Sequence, residues 1–240
     1  MAASSEGTTR GRYVCLLRHS VRADMSSNTP LRPWEDRASR PYDPPIVNVK
    51  LVENAALNLQ QYNIDKIFSS PFRRCFQTAC ILGQSLGVTT LIIDNSLGEV
   101  MTQVKSALSK SNMLEKDWCY CSEQEVKDLA KSFGFDRVVW NREENQPGVD
   151  ETVGAFADRV KHVHTTLGQY CDGTEAKNNV VVTHADFLNM RLQMLLPESI
   201  YAPKECGFCV EAVDVGRAPT EGSVGALNKI VEMYRIQKIM

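Results

Sequence analysis

Two histidines stand at the ends of short apolar runs that lie far apart in the chain. His19 follows the run 13–17 and Arg18, and the second run, 180–183, ends at His184. A neutral imidazole is a competent nucleophile toward phosphorus when one ring nitrogen is unprotonated and the other is held by a hydrogen bond. A neighbouring arginine neutralises phosphoryl oxygens, because its planar fork stays charged and pairs two oxygens at once. This combination predicts phosphate chemistry.

The two apolar runs predict the elements that must position these side chains. Runs this short and this rich in Val, Leu and aromatic residues are typical of buried parallel strands. In an open α/β sheet, ligands bind outside the carboxyl ends of the strands. We therefore expect His19 and His184 to meet at one site, with Arg18 beside them.

Apolar spacing elsewhere in the chain predicts alternating helices and strands. Two further short strands are expected at 66–69 and 91–93, and edge strands at 208–213 and 226–235. Helices are expected at 48–61, 71–86, 122–132, 151–170 and 186–196. The alternation predicts an α/β fold, a three-layer α/β/α sandwich with a mostly parallel central sheet.

The domain organisation follows from the segments that lack this alternation. Residues 1–12 are small and polar and predict a disordered tail, so that 13–240 forms a single domain. Residues 100–150 have a looser pattern and predict an insertion in that domain. The stretch 20–46 is dense in Pro, Arg, Ser and Asp. Because a loop this long usually has a function and this one follows His19, we expect it to face the substrate.

Composition narrows the classes of partner. The 240 residues are 43% hydrophobic and 23% charged, with a formal net charge of −2. A net charge of −2 is not the excess of positive charge that binding to a polyanion requires, so no nucleic-acid partner is expected. Residues 1–12 lack the apolar region of a signal peptide, and no apolar run approaches the ~20 residues of a membrane span. We expect a cytoplasmic protein with no membrane partner.

The eight cysteines predict buried, reduced thiols, as is usual in a cytosolic protein. In an alternative interpretation, Cys119, Cys121, Cys206 and Cys209 hold Zn²⁺ through four thiolates. The last two flank an aromatic residue within an apparent strand, and the two pairs lie far apart in the sequence. We therefore expect no metal site and no cofactor.

Four motifs in order along the chain carry a resemblance to a known family. They are Arg18-His19, the segment 69–79 (SSPFRRCFQTA), Gly98-Glu99 and 182–184 (VTH). In type and order they resemble the histidine phosphatase superfamily, which includes the phosphoglycerate mutases and acid phosphatases. The resemblance spans about 13 to 212.

A narrower likeness lies in three shorter segments. Residues 18–24 (RHSVRAD) resemble the Arg-His-x-x-Arg-x-Asp pattern of the suppressor-of-T-cell-signalling phosphatases and their plant relatives. Residues 40–46 and 205–209 are similar to segments of that branch as well. A mutase is expected to carry a Trp-Asn pair soon after the first motif, and this chain has none there.

The resemblance implies a role for each matching residue. His19 would be the nucleophile that becomes phosphohistidine, and His184 a second imidazole that stabilises charge on the phosphoryl oxygens. Glu99 would be the general acid for the leaving group and then the base for water. Three arginines would line the phosphate pocket: Arg18, Arg22 and Arg74. The implied function is phosphomonoester hydrolysis.

Two departures from the family pattern leave a non-catalytic alternative open. Ser20 and Ala185 stand where the family usually has glycine. Glycine allows positive φ or a close backbone approach to a ligand, and an added Cβ would narrow the pocket. The alternative is therefore a phosphate-binding or scaffold member of the same fold.

The resemblance implies that the substrate is a phosphorylated small molecule or a phosphopeptide. Within the loop 25–45, Trp34 and Tyr42 could stack on an aryl group, which favours a phosphotyrosine or aryl phosphatase. Three arginines of the same loop could bind a second anionic group, which favours a small-metabolite phosphatase: Arg32, Arg37 and Arg40. A homodimer through the late apolar segments is left open.

Overall fold

Seven strands of the chain form one sheet in the structure, a computed structural model. It describes residues 12–24, 40, 42–110, 121–141, 147–148, 150–166, 178–195, 204–213 and 229–234. The strands are β1 (Arg12–Arg18), β2 (Ile64–Ser69), β3 (Thr90–Asp94), β4 (Arg137–Asn141), β5 (Asn178–Thr183), β6 (Phe208–Val213) and β7 (Lys229–Tyr234).

The strand order is β4-β3-β2-β5-β1-β6-β7. Every pairing from β4 to β1 is parallel, and β6 pairs antiparallel with both β1 and β7. The prediction of a mostly parallel central sheet is confirmed.

Six α-helices among the described residues cover the two faces of the sheet. They are α1 (Val49–Leu59), α2 (Arg73–Leu86), α3 (Met101–Lys110), α4 (Glu123–Ser132), α5 (Val153–Thr166) and α6 (Ala185–Leu195). Buried residues of α1, α2 and α4 pack in the core on one face, and those of α5 and α6 pack in the core on the other. The predicted three-layer arrangement is confirmed. No described helix has both the length and the apolar character that a bilayer span requires.

The central strand β5 shows why its sequence is apolar throughout. All six of its residues are buried. Val180 and Val182 pack in the core with α1 and α2, while Val181 packs in the core with α5 and α6. Because side chains alternate across a strand and helices cover both faces, both sets of positions must be apolar.

The second helix of the chain positions Arg74 and ends as the sequence predicts. Helix α2 begins after Phe72 and ends at Gly87, which has φ 70° in the left-handed region. Glycine adopts that conformation without a steric penalty from Cβ, and such a residue commonly ends a helix. Pro71 lies just outside the helix and not in its first turn.

One sequence prediction needs correction. The run 208–213 was predicted as an edge strand, but β6 lies between β1 and β7. An apolar run of this kind fits an edge strand or an inner strand, and only its pairing with the later strand β7 distinguishes the two. The insertion predicted at 100–150 stays a prediction; that segment contains α3, the predicted α4, and β4, which pairs in parallel with β3. Most of the predicted tail, residues 1–11, lies outside the described residues.

A glycine of α2 gives a direct test of the core packing. A Cβ on Gly83 would overlap the ring of Phe135, whereas a Cβ on Gly154 would meet only Thr152 Oγ1 at 3.8 Å. Overpacking a core costs about 1–3 kcal/mol, which exceeds the gain of about 0.5–1 kcal/mol in helix propensity. We expect G83A to lower the free energy of unfolding in urea and G154A to leave it unchanged or raise it. Equal effects of the two substitutions would contradict this packing.

Candidate active site

The two imidazoles meet at the carboxyl ends of neighbouring strands. Arg18 of β1 pairs in register with Thr183 of β5, so His19 and His184 leave the sheet side by side. The His19 amide donates to the Thr183 carbonyl at 3.0 Å. Their ring centroids lie 5.4 Å apart at an interplanar angle of 66°, and both rings are buried. The predicted convergence is therefore observed.

The hydrogen bond of His19 fixes which ring nitrogen carries the proton. Nδ1 lies 2.7 Å from the carbonyl oxygen of Ser20. A carbonyl oxygen only accepts, so Nδ1 donates and the neutral ring keeps its lone pair on Nε2. Burial lowers the pKa of His19 well below its ordinary value of 6.5, and the charge of Arg74 lowers it further. His19 is therefore a neutral imidazole with its lone pair on Nε2.

His184 has the opposite tautomer. Its Nδ1 accepts from Arg74 Nη2 at 3.2 Å, so the ring hydrogen is on Nε2. Nε2 donates to Ser70 Oγ at 2.8 Å, and the thiol of Cys75 lies 3.4 Å from the same nitrogen. Burial lowers the pKa of His184, as does the charge of Arg74.

Arg74 has no solvent exposure and binds four groups at once. Its Nη1 donates to Asp43 Oδ1 at 3.2 Å and to the Tyr42 carbonyl at 3.3 Å. Its Nη2 donates to Glu99 Oε2 and to His184. Burial alone would lower the pKa of this guanidinium, but the charges of Glu99 and Asp43 outweigh burial and raise it. Arg74 therefore supplies a permanent positive charge beside the imidazoles.

Glu99 follows a 3₁₀ turn, Asn95–Leu97, that leads out of β3. Its carboxyl group is almost fully buried. Oε2 accepts from Arg74 and, at 2.5 Å, from the Tyr42 hydroxyl, and it lies 3.8 Å from His184 Nδ1. Oε1 makes no hydrogen bond to the described residues. The structure thus places this carboxyl group at the imidazoles, as the sequence predicted.

The two other predicted phosphate-binding arginines lie near His19 but pair with carboxylates. Arg18 forms an ion pair with Glu205 at 3.2 Å. Arg22 donates to both carboxylate oxygens of Asp24, at 2.9 and 2.6 Å. After burial and the charge of Arg74, the charges of these two arginines further lower the pKa of His19. Both are therefore close enough to act on an anion bound there.

Neither residue that replaces a family glycine needs glycine's conformational freedom. Ser20 and Ala185 are not among the described residues with positive φ. The Ser20 hydroxyl donates to the carbonyl of Asn48 at 2.8 Å, and its amide donates to Thr78 Oγ1 at 3.0 Å. The added hydroxyl of Ser20 is thus occupied by a backbone contact.

Comparison with known families agrees with this geometry. The sequence profile of the Histidine phosphatase superfamily (branch 1) matches residues 35–212. The chain belongs to the histidine phosphatase superfamily. No match was found among curated protein sequences. The narrower resemblance to the suppressor-of-T-cell-signalling branch stays a prediction.

Solved structures of three other proteins have a similar fold over most of the chain. Ecdysone phosphate phosphatase from Bombix mori is 13% identical with a TM-score of 0.55, over 92% of each chain. Phosphoglycerate mutase from Bacillus anthracis str. Sterne is 18% identical with a TM-score of 0.51, over 86% of this chain and 90% of its own. Mycobacterial hydrolase 2 is 17% identical with a TM-score of 0.55, over 92% and 90%. Identities this low show a common fold and nothing finer.

Sequence reasoning missed how Tyr42 and Asp43 enter the site of this histidine phosphatase. Tyr42 was expected in a substrate-facing loop, but it is buried with its hydroxyl on Glu99. Asp43 is also buried, accepts from the Arg73 amide at 2.9 Å and pairs with Arg74. Burial raises the pKa of Asp43, although Arg74 opposes the shift. The resemblance of 40–46 to a family segment was the one signal for these residues.

The other residues of the loop 25–45 that were predicted to contact a substrate are either paired within the protein or outside the described residues. Arg40 pairs with Glu125 of α4 at 2.9 Å and donates to Cys121 Sγ at 3.1 Å, and its contact with a substrate anion stays a prediction. The other aromatic and basic residues named for this loop lie outside the described residues: Arg32, Trp34 and Arg37.

A buried arginine on α5 holds the backbone that carries Glu99. Arg159 Nη1 donates to the carbonyls of Ser96 and Gly98 at 2.7 and 2.9 Å, and Nη2 donates to that of Glu99 at 3.3 Å. Two further bonds of 2.7 Å join Arg159 to Glu151. No sequence signal marked this residue, because an arginine on an amphipathic helix is typical of a solvated face.

The zinc interpretation finds no geometric support in the part of the chain that the structure describes. No group of three or more His, Cys, Asp or Glu side chains is arranged there to hold a metal. Cys206 and Cys209 pack in cores on opposite faces of the sheet. Cys119 lies outside the described residues.

The lowered pKa of His19 predicts how stability depends on pH. Between the ordinary histidine pKa of 6.5 and the lower pKa of the folded state, the unfolded chain binds more protons. The free energy of unfolding therefore falls as the pH falls below about 6.5. H19Q removes this contribution, so the loss of stability between pH 7.5 and pH 5 should be smaller than in the wild type.

The matched control is H162Q, since His162 is exposed on α5. Denaturant unfolding at several pH values gives the comparison, and H162Q should follow the wild-type profile. If H19Q lost as much free energy of unfolding between pH 7.5 and pH 5 as the wild type does, the fold would not hold His19 neutral.

Proposed function

We propose that this chain hydrolyses phosphomonoesters in two steps through a phosphohistidine on His19. The observation that carries the proposal is the 2.7 Å hydrogen bond from His19 Nδ1 to the Ser20 carbonyl. It keeps a lone pair on Nε2 and fixes the ring, which are the two requirements for a histidine nucleophile. Membership of the histidine phosphatase superfamily supports the same reaction class.

In the first step, the lone pair of His19 Nε2 forms a bond to phosphorus. The phosphorus–oxygen ester bond breaks, and its electron pair stays on the leaving oxygen. Glu99, protonated for this step, gives that oxygen its proton. The phosphorylated ring still carries hydrogen on Nδ1 and is therefore positive, and the Ser20 carbonyl accepts from it. This acceptor stabilises the intermediate.

In the second step, water attacks phosphorus while the bond to Nε2 breaks. The electron pair returns to the His19 ring, and the Glu99 carboxylate takes a proton from the water. Inorganic phosphate leaves, and both groups are restored. One carboxyl group thus serves as acid and then as base.

Charge on the transferred group is stabilised by the surrounding donors. Arg74 Nε is fully buried and has no hydrogen-bond partner among the described residues. An unpaired buried donor costs about 1–3 kcal/mol, and a phosphoryl oxygen would give it an acceptor. The charges of Arg18 and Arg22 add to this stabilisation. The N–H of His184 would add to it by exchanging Ser70 Oγ for a phosphoryl oxygen.

The proposal covers phosphomonoesters as a class. Residues 25–39, which follow His19, lie outside the described residues. An assay must therefore distinguish an aryl phosphatase from a metabolite phosphatase. It compares kcat/KM for phosphotyrosyl peptides with kcat/KM for sugar phosphates and glycerate phosphates.

Chemical trapping tests the nucleophile. After brief exposure of the wild type to a ³²P-labelled phosphomonoester and rapid denaturation, we expect a protein-bound label that is lost in acid and kept in alkali. H19A should form no such adduct and should lose about 10³-fold or more in kcat. Peptide mapping should place the label on His19.

Cys75 provides the control, because its thiol is the other soft nucleophile beside His184. Burial raises the pKa of this thiol, so it stays protonated and unreactive. C75S should keep both adduct and turnover. Hydrolysis by H19A at the wild-type rate would rule out the assignment, and phosphate or vanadate binding without any turnover would favour the non-catalytic alternative.

A further inference from the structure

The hydroxyl of Tyr42 lies 2.5 Å from Glu99 Oε2. The tyrosine is buried, and its own carbonyl accepts from Arg74 Nη1. Arg74 also donates to Glu99 Oε2. Two donors therefore converge on one oxygen of the carboxyl group.

The ring of Tyr42 is held on several sides. The guanidinium groups of Arg22 and Arg74 each lie 5.4 Å from its centroid. The Phe72 ring packs edge-on at 6.1 Å. These contacts hold the ring in one orientation, so the hydroxyl has a fixed direction.

The Tyr42 hydroxyl remains a hydrogen-bond donor at every relevant pH. Burial raises the pKa of Tyr42, and the negative charge of Glu99 raises it further. A phenol that keeps its hydrogen can only donate to a carboxylate oxygen. The contact thus has one direction, from Tyr42 to Glu99.

We infer that Tyr42 is a positioning residue that directs the transferable proton of Glu99 to Oε1. Both lone pairs of Oε2 are occupied by the donors Tyr42 and Arg74, so a proton added to the carboxyl group goes to Oε1. That oxygen makes no hydrogen bond to the described residues and is left for the leaving group or water. The inference rests on the proposed role of Glu99 as acid and base.

The test uses the dependence of the rate on the leaving group. An alkoxide leaves poorly and needs a proton, whereas 4-nitrophenolate leaves without one. Y42F removes a single oxygen and keeps the ring packing. We expect kcat/KM for an alkyl phosphate to fall about tenfold or more, with a change of less than about threefold for 4-nitrophenyl phosphate.

Two comparisons make the result specific. Y13F is the matched control, because Tyr13 is half-buried on β1 and packs on Tyr62 at 5.8 Å between centroids. Y13F should leave kcat/KM for both substrates unchanged. E99Q should show a larger selective loss for the alkyl phosphate, and adding Y42F to E99Q should give no further selective loss.

The outcomes separate this inference from the proposed function. An equal loss for both substrates in Y42F, or no loss for either, overturns the positioning role while the His19 adduct of the wild type still forms. The positioning role is also overturned if the selective losses of Y42F and E99Q add together in the double variant. A wild type that forms no phosphohistidine overturns both.

Discussion

A buried guanidinium without solvent contact is the constraint on which the site depends. Arg74 lies between two carboxylates, Asp43 and Glu99, and also binds His184 and the Tyr42 carbonyl. A charge removed from water is stable only when it is paired and hydrogen-bonded. Helix α2, the 42–43 turn, the end of β3 and the end of β5 must therefore assemble together.

Burial and the same guanidinium together explain why both histidines are neutral. Burial lowers the pKa of each ring, and the permanent positive charge of Arg74 lowers it further. The Ser20 carbonyl then selects the tautomer of His19, and Arg74 selects that of His184. His19 is left with a lone pair on Nε2, whereas His184 donates its N–H to Ser70 Oγ.

The sequence predicted the parts of the site that depend on parallel strands. His19 and His184 each end a buried apolar run, and register in the sheet brings such ends together. Arg74 and Glu99 were predicted through a family resemblance and lie where it implies. The contacts of Tyr42 and Arg159 could not be predicted, because they join elements far apart in sequence, and those of Arg159 also use backbone carbonyls. Strand β4 was missed although it contains the apolar residues 138–140 (VVW), because the looser pattern of the surrounding segment 100–150 was interpreted as an insertion.

A crystal structure with bound orthovanadate tests the central claim most directly, because vanadate mimics phosphorus in the transition state. We predict one vanadium atom within bonding distance of His19 Nε2, with one oxygen accepting from Arg74 Nε and another accepting from His184 Nε2 in place of Ser70 Oγ. Vanadate bound away from Nε2, or between rings that point into separate pockets, would contradict the convergence of the two imidazoles on one anion.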